Sequence, residues 1–242
     1  MSELPDSQTS TPGKATLYLL MQHVYWCMCG SNAVFLDLRR DKYSAIGPPQ
    51  AGYLPALAES CSILKPETKA LAQDLLQGGL LTIDDANGKR ITPSKVPPPS
   101  SALIDELFDG WPPVRTTDVL RLLWSFAVAA FALRRGVFHA VRRVQKRNQA
   151  AILRYASFPP ERARELILIV RYLRPLLYVA ESKCLLSSLI LSEFLSLYGI
   201  RTTLVFGVKM GPFEAHCWLQ QDGYVLNGHP EAIANFTPIL AA

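Results

Sequence analysis

Between Ser182 and Leu226 the spacing of apolar residues changes from a helical period to a period of two. Leu185, Leu186, Leu189, Ile190, Phe194 and Leu195 mark a helix over Ser182–Tyr198 that Gly199 closes. Thr202–Val208 (TTLVFGV), His216–Gln220 (HCWLQ) and Tyr224–Leu226 (YVL) then read as three strands, with Asp222-Gly223 a hairpin turn. Upstream, Thr117–Asn148 is helical with an N-cap at Thr116 or Thr117, and Pro159–Leu177 is a helix ended by Pro175. Helices followed by an antiparallel meander make an α+β domain over residues 114–242.

The first part of the chain reads differently. His23–Cys29 (HVYWCMC) and Ala33–Leu38 (AVFLDL) flank Gly30-Ser31-Asn32 and predict a β-hairpin, followed by a third strand at Tyr43–Ile46. A helix is expected from Gln50 to Glu59. A second, Lys65–Gln77, has Pro66 in its first turn, Leu71, Leu75 and Leu76 on one face, and Gly78-Gly79 as its stop. Leu80–Ile83 returns to strand, which makes a small winged-helix-like module of residues 15–84. Residues 85–113 are rich in turn and polyproline signals, Pro97-Pro98-Pro99 and Trp111-Pro112-Pro113 among them, and read as a semi-rigid linker.

With 242 residues, 49% of them hydrophobic, the chain is too apolar for disorder. Its longest apolar stretch, Leu122–Leu133, lies between Arg121 and Arg134-Arg135 and falls short of the ~20 residues of a spanning helix, so no membrane span is expected. Met1–Thr11 lacks the basic-then-apolar pattern of a secretory signal. Five cysteines, Cys27, Cys29, Cys61, Cys184 and Cys217, include no CxxC pair. The expectation is therefore a cytoplasmic protein with reduced thiols, and no metal site. Residues 1–113 carry 9 Lys/Arg against 12 Asp/Glu, whereas residues 114–242 carry 16 against 8. The basic run Arg134, Arg135, Arg142, Arg143, Lys146, Arg147 and Arg154 contains no acid. A solvated helix face is the common fate of such a run, though it suits phosphates or an anionic partner. The chain has no Gly-rich phosphate loop, so no bound cofactor is expected, and the acidic first part argues against a DNA-binding winged helix and a nucleic-acid partner.

Cys184 follows Glu181-Ser182-Lys183 at the start of the apolar helix. There the helix dipole, free backbone N–H groups and Lys183 all favour thiolate. His216 opens a strand some way on; packed against that helix, it can take the thiol proton and later protonate a leaving amine. This is the Cys–His order of papain-like and transglutaminase-like sites. By residue type alone a cysteine on an apolar helix is usually a small core residue. Cys217, on the opposite face of its strand from His216, reads as core packing, and Cys27 and Cys29 share one strand face. His229 reads as an exposed loop residue, and Trp218 as core or a groove wall.

The residues Lys183-Cys184-Leu185, Gly199, Val205-Phe206-Gly207-Val208, Pro212-Phe213-Glu214-Ala215-His216-Cys217-Trp218, Asp222-Gly223 and Leu226-Asn227 stand in an order that resembles the B proteins of lasso-peptide biosynthesis. These are transglutaminase-like cysteine proteases that remove the leader from a ribosomally made precursor. The resemblance implies catalysis by Cys184 and His216, a substrate groove at Trp218 and Phe213, dependence on ATP, and two partners, the precursor peptide and a macrolactam synthetase. It also implies that the N-terminal module is a leader-recognition element. A leader would add as a strand at the edge carrying Tyr43 and Ala45, with Leu71 and Leu75 of the following helix as the second wall. The family usually places an Asp where this chain has Gly228; Asn227 replaces it as the candidate that orients the imidazole, with Asp222 and Glu231 as weaker candidates. The rival functions are acyl transfer to an amine at the same Cys–His pair, a peptide-binding scaffold with impaired catalysis, and a basic nucleic-acid binder.

Overall fold

The structure, a computed structural model, describes residues 17–58, 64–104, 112–151, 160–177 and 184–242. The expectations placed on Met1–Thr11, Glu59, Cys61, Trp111, Arg154 and Glu181-Ser182-Lys183 lie outside these residues. In chain order the elements are β1 (Leu19–Met21), β2 (Val24–Cys29), β3 (Asn32–Asp37), β4 (Lys42–Ile46), α1 (Leu54–Ala58), α2 (Pro66–Gln77), β5 (Leu81–Thr82), β6 (Gly88–Lys89), β7 (Ser101–Ala102), α3 (Thr116–Arg134), α4 (Val137–Ala151), α5 (Pro160–Leu173), α6 (Cys184–Ser196), β8 (Thr203–Lys209), β9 (Glu214–Gln221), β10 (Tyr224–Val225), α7 (Pro230–Ile233) and β11 (Thr237–Ala241). The fold is α+β.

Two compact units form, and neither is one continuous stretch. The first takes residues 1–22 and 49–91, the second residues 23–48 and 92–242. In the first unit β1 lies between β5 and β6, antiparallel to both. Helix α2 begins with Pro66 at a position whose N–H has no helical partner. It ends as the two glycines predict: Gly79 takes φ +70°, and Leu80 N–H returns to the Leu75 carbonyl at 2.9 Å.

In the second unit the meander β2-β3-β4 stands where the hairpin pattern put it, turning at Gly30 with φ +61°. It was expected to sit in a module with α2. Instead β2 packs against β11, and Cys27, Cys29, Val34, Leu36 and Leu38 join the core of α5, α6, β8 and β9. The apolar faces of β2 and β3 need cover, and the sheet β11-β8-β9-β10-β7 supplies it. Part of the expected linker is also fixed in this unit. Ser101–Ala102 pairs in parallel with β10, and the Pro97 carbonyl accepts a 3.0 Å hydrogen bond from Gln220 Nε2.

The predicted helix Thr117–Asn148 is broken into α3 and α4 at Gly136, where φ is +105°. Its N-cap is Arg115, whose N–H donates to Asp118 Oδ2 at 2.9 Å. By length and composition α3 could cross a bilayer. It buries Asp118, Leu122, Ser125 and Ala129 and packs on α4 and α6.

Two residues of the basic run have an internal task. Glu193 is buried in α6, and its carboxylate receives Arg143 Nε and Arg147 Nη1, each at 2.9 Å. Arg142 lies over the Phe138 ring. Removing one side of such a half-buried cluster strands the other. Glu193→Gln is expected to lower stability by about 3 kcal/mol, read as a fall in the thermal midpoint of the full chain.

Candidate active site

Helix α6 is nearly all apolar, and residues 188–195 are buried, whereas Cys184 to Ser187 are only half-buried. The burial gradient leaves the N-terminus of the helix at an open cleft of about 590 Å³. Cys184, Ser187, His216, Cys217, Asn227 and Gly228 line it, together with Arg171 and Arg174.

The cleft side of α6 is fastened to β9 by polar side chains. Ser188, one helical turn after Cys184, accepts from Asn227 Nδ2 at 2.9 Å, and Asn227 Oδ1 accepts the Leu219 N–H at 2.8 Å. Ser188 Oγ also lies 3.8 Å from Cys217 Sγ. Cys184 therefore rests over the His216–Cys217 step of β9.

This contact fixes the charge on the sulfur. The Cys184 thiol is pulled down to about 4, first by a hydrogen bond from the Cys217 thiol and next by one from His216. Burial opposes the shift, and the Cys217 backbone and the charge of His216 add to it. Cys217, 2% exposed, is pushed the other way by its bond to Cys184 and by burial. The two shifts run in opposite directions, so that Cys217 favours the protonated form and Cys184 the thiolate. Cys217 is a functional neighbour that alternation along the strand assigned to packing. It lies in the core, yet it also lines the cleft with Cys184 and His216. Its adjacency to His216 and the Ser188 hydroxyl on the buried face of α6 were the available signals.

His216 sits against aromatic rings. Its centroid is 5.7 Å from Phe236 and 6.3 Å from Trp218, the latter nearly parallel at 18°. Gly207 is the register partner of His216, and any Cβ there would come within 2.7 Å of the Trp218 ring. The glycine in the Val205–Val208 motif thus makes room for the indole that backs the imidazole. Trp218 is 2% exposed and donates to Gln220 Oε1 at 2.9 Å. It belongs to the core beneath the histidine and does not line the cleft. Nor does Phe213, whose ring lies tilted against Tyr43 with centroids 5.5 Å apart.

Asn227 bonds Leu219 and Ser188 and, among the described residues, makes no hydrogen bond to the imidazole. Asp222, at φ +49°, accepts from Gln221 and serves the turn, and Glu231 is exposed in the first turn of α7. Among the described residues no carboxylate lies within ion-pair distance of His216. Gly228 has room for a side chain: a Cβ would meet only Val225 Cγ1, at 3.7 Å.

The residues proposed for peptide capture separate. Leu71 and Leu75 are each 4% exposed, so their side chains present no open wall, and they belong to the first unit. Tyr43 and Ala45 lie on β4, an edge strand of the second unit, with Ala45 exposed. The Tyr43 hydroxyl is raised by burial and then by charge at Cys217, Asp41 and Cys184, which places it beside the two thiols. Cys27, pushed up to about 12 by burial, and Cys29, 3.7 Å from the Val208 carbonyl, are core thiols. Among the described residues no three His, Cys, Asp or Glu side chains form a metal-holding group.

A helix-borne thiolate facing a strand-borne histidine is the arrangement of cysteine acyl-transfer enzymes. A family profile described as the transglutaminase-like superfamily matches residues 119–241, just over half of the chain. The chain belongs to the transglutaminase-like superfamily. No curated protein and no solved structure matches it.

Alkylation of Cys184 by iodoacetamide, followed by mass spectrometry against pH, tests the shared proton. The wild-type rate should fall only as pH drops through about 4. Cys217→Ala removes the strongest donor and should raise that midpoint by about one unit or more, roughly 1.4 kcal/mol of lost thiolate stabilisation. Gly207→Ala should cost about 2 kcal/mol of stability by overpacking, seen in chemical denaturation.

Proposed function

We propose that the protein is a cysteine protease that removes the leader peptide from a lasso-type, ribosomally made precursor. The observation that carries this reading is that Cys184, at the start of α6, lines one cleft with His216 and Cys217, the two groups that lower its thiol to about 4. Cys184 attacks the scissile carbonyl, and backbone N–H groups at the start of α6 stabilise the oxyanion. His216 gives a proton to the leaving amine as the C–N bond breaks. It then takes one from the water that hydrolyses the thioester. Release of leader and core restores the thiolate.

The order of motifs around Cys184 and His216 and membership of the superfamily support this assignment over other uses of the fold. The free edge of β4, in the same compact unit as the thiolate, suits an extended leader that adds as a strand. A macrolactam synthetase that takes the freed amine would be the second partner, acting in the cytoplasm. ATP enters only through the resemblance; the chain has no Gly-rich phosphate loop, and the steps above need none.

A second reading, a peptide-binding scaffold with weakened chemistry, draws on the absence of a carboxylate beside His216 among the described residues and on Gly228. Leader release from the precursor, followed by mass spectrometry, separates the two. Cys184→Ala or His216→Ala should slow release by about 10³-fold or more, and unchanged release would sink the protease. Gly228→Asp, at a position with room for a Cβ, should raise kcat/KM about tenfold by holding the imidazole. An amine conjugate in place of free leader would mark a transferase.

A further inference from the structure

The cleft that holds Cys184 carries two arginines that pair with no acid among the described residues. Arg171 lies in the last turn of α5, and Arg174 opens the 3-10 turn that follows. Three residues apart, they project to one side of the helix end, and both line the cleft that holds Cys184 and His216. Arg40, Arg143, Arg147 and Arg162 each pair with a carboxylate. Among the described residues Arg171 and Arg174 pair with none, and none of the described residues that line the cleft is acidic.

We propose that Arg171 and Arg174 form a carboxylate-binding subsite, so that the enzyme selects substrates with an acidic group beside the bond it cleaves. The planar guanidinium presents paired N–H donors that match a carboxylate two at a time. Ile167, Val170, Leu191 and Leu226 line the same cleft and lower the local dielectric, which strengthens that pairing. Arg174 is half-buried and Arg171 exposed, so the first anchors the acid while the second closes over it from the solvent side. An arginine at a helix C-terminus also favours the dipole, but that role does not require two guanidinium groups facing one cleft. The proposal rests on the thiolate reading above and adds the chemistry of what enters.

The test uses the full chain and two alkylating reagents, iodoacetate and iodoacetamide. In each, the Cys184 sulfur forms a bond to carbon as the carbon–iodine bond breaks and iodide leaves. The reagents differ in the carboxylate, and the readout is the ratio of their rates at Cys184. Arg171→Gln/Arg174→Gln should lower the iodoacetate-to-iodoacetamide ratio about tenfold, and the double lysine variant should restore part of it. A thermal midpoint for each variant confirms folding. Succinate should protect Cys184 from iodoacetate better than inorganic phosphate does at equal concentration.

A ratio unchanged in the glutamine variant overturns the subsite and leaves the thiolate standing. Stronger protection by phosphate overturns the carboxylate assignment. Failure of both reagents to label Cys184 overturns the thiolate reading and the subsite with it.

Discussion

The site depends on where one proton rests between two sulfurs. Cys184 and Cys217 line one cleft where the start of α6 lies on β9, and they are not equivalent. Cys217 is sealed from solvent, and an ion there would have little to compensate it. Cys184 stands half-exposed at the positive end of a helix, within reach of an imidazole. The asymmetry in burial therefore chooses the nucleophile. The Ser188–Asn227 bridge keeps the helix at this height on the strand, so its hydrogen bonds serve the chemistry without touching substrate.

Helix α6 joins stability to function along its length. Its first turn carries the thiolate, its middle fills the core with Ile190, Phe194 and Leu195, and Glu193 meets two arginines of α4. A charge at one end and an ion cluster further on hold an otherwise apolar rod in one register. The histidine has a different support, an aromatic seat made possible by the missing side chain of Gly207.

Local signals were legible where local physics decides. The apolar period of α6, the alternation of β8 and β9, the Gly30 turn and the double-glycine stop of α2 all appear in the structure. Cys184 and His216 could be nominated because a helix start and a strand start have recognisable signatures. What failed involved partners distant in the chain. Nothing within residues 24–46 says that their cover is β11, and nothing near Pro97 says that Gln220 will donate to its carbonyl. Strand β11 was missed because Pro238 lies in it; an edge position with a register irregularity tolerates the proline. Gly136 was read through as helix, although its left-handed backbone ends one helix and starts another. Asn227 was assigned to the wrong neighbour, since a residue near a strand end can reach either the ring or the helix and only the packing decides.

The packing of β2 against β11 joins segments more than 200 residues apart. An early-synthesised ribbon must therefore wait, its oily side bare, until a far later stretch emerges from the ribosome. Between those moments the nascent chain offers sticky surface to other molecules, and helpers that shield such surface would govern how much working enzyme a cell obtains.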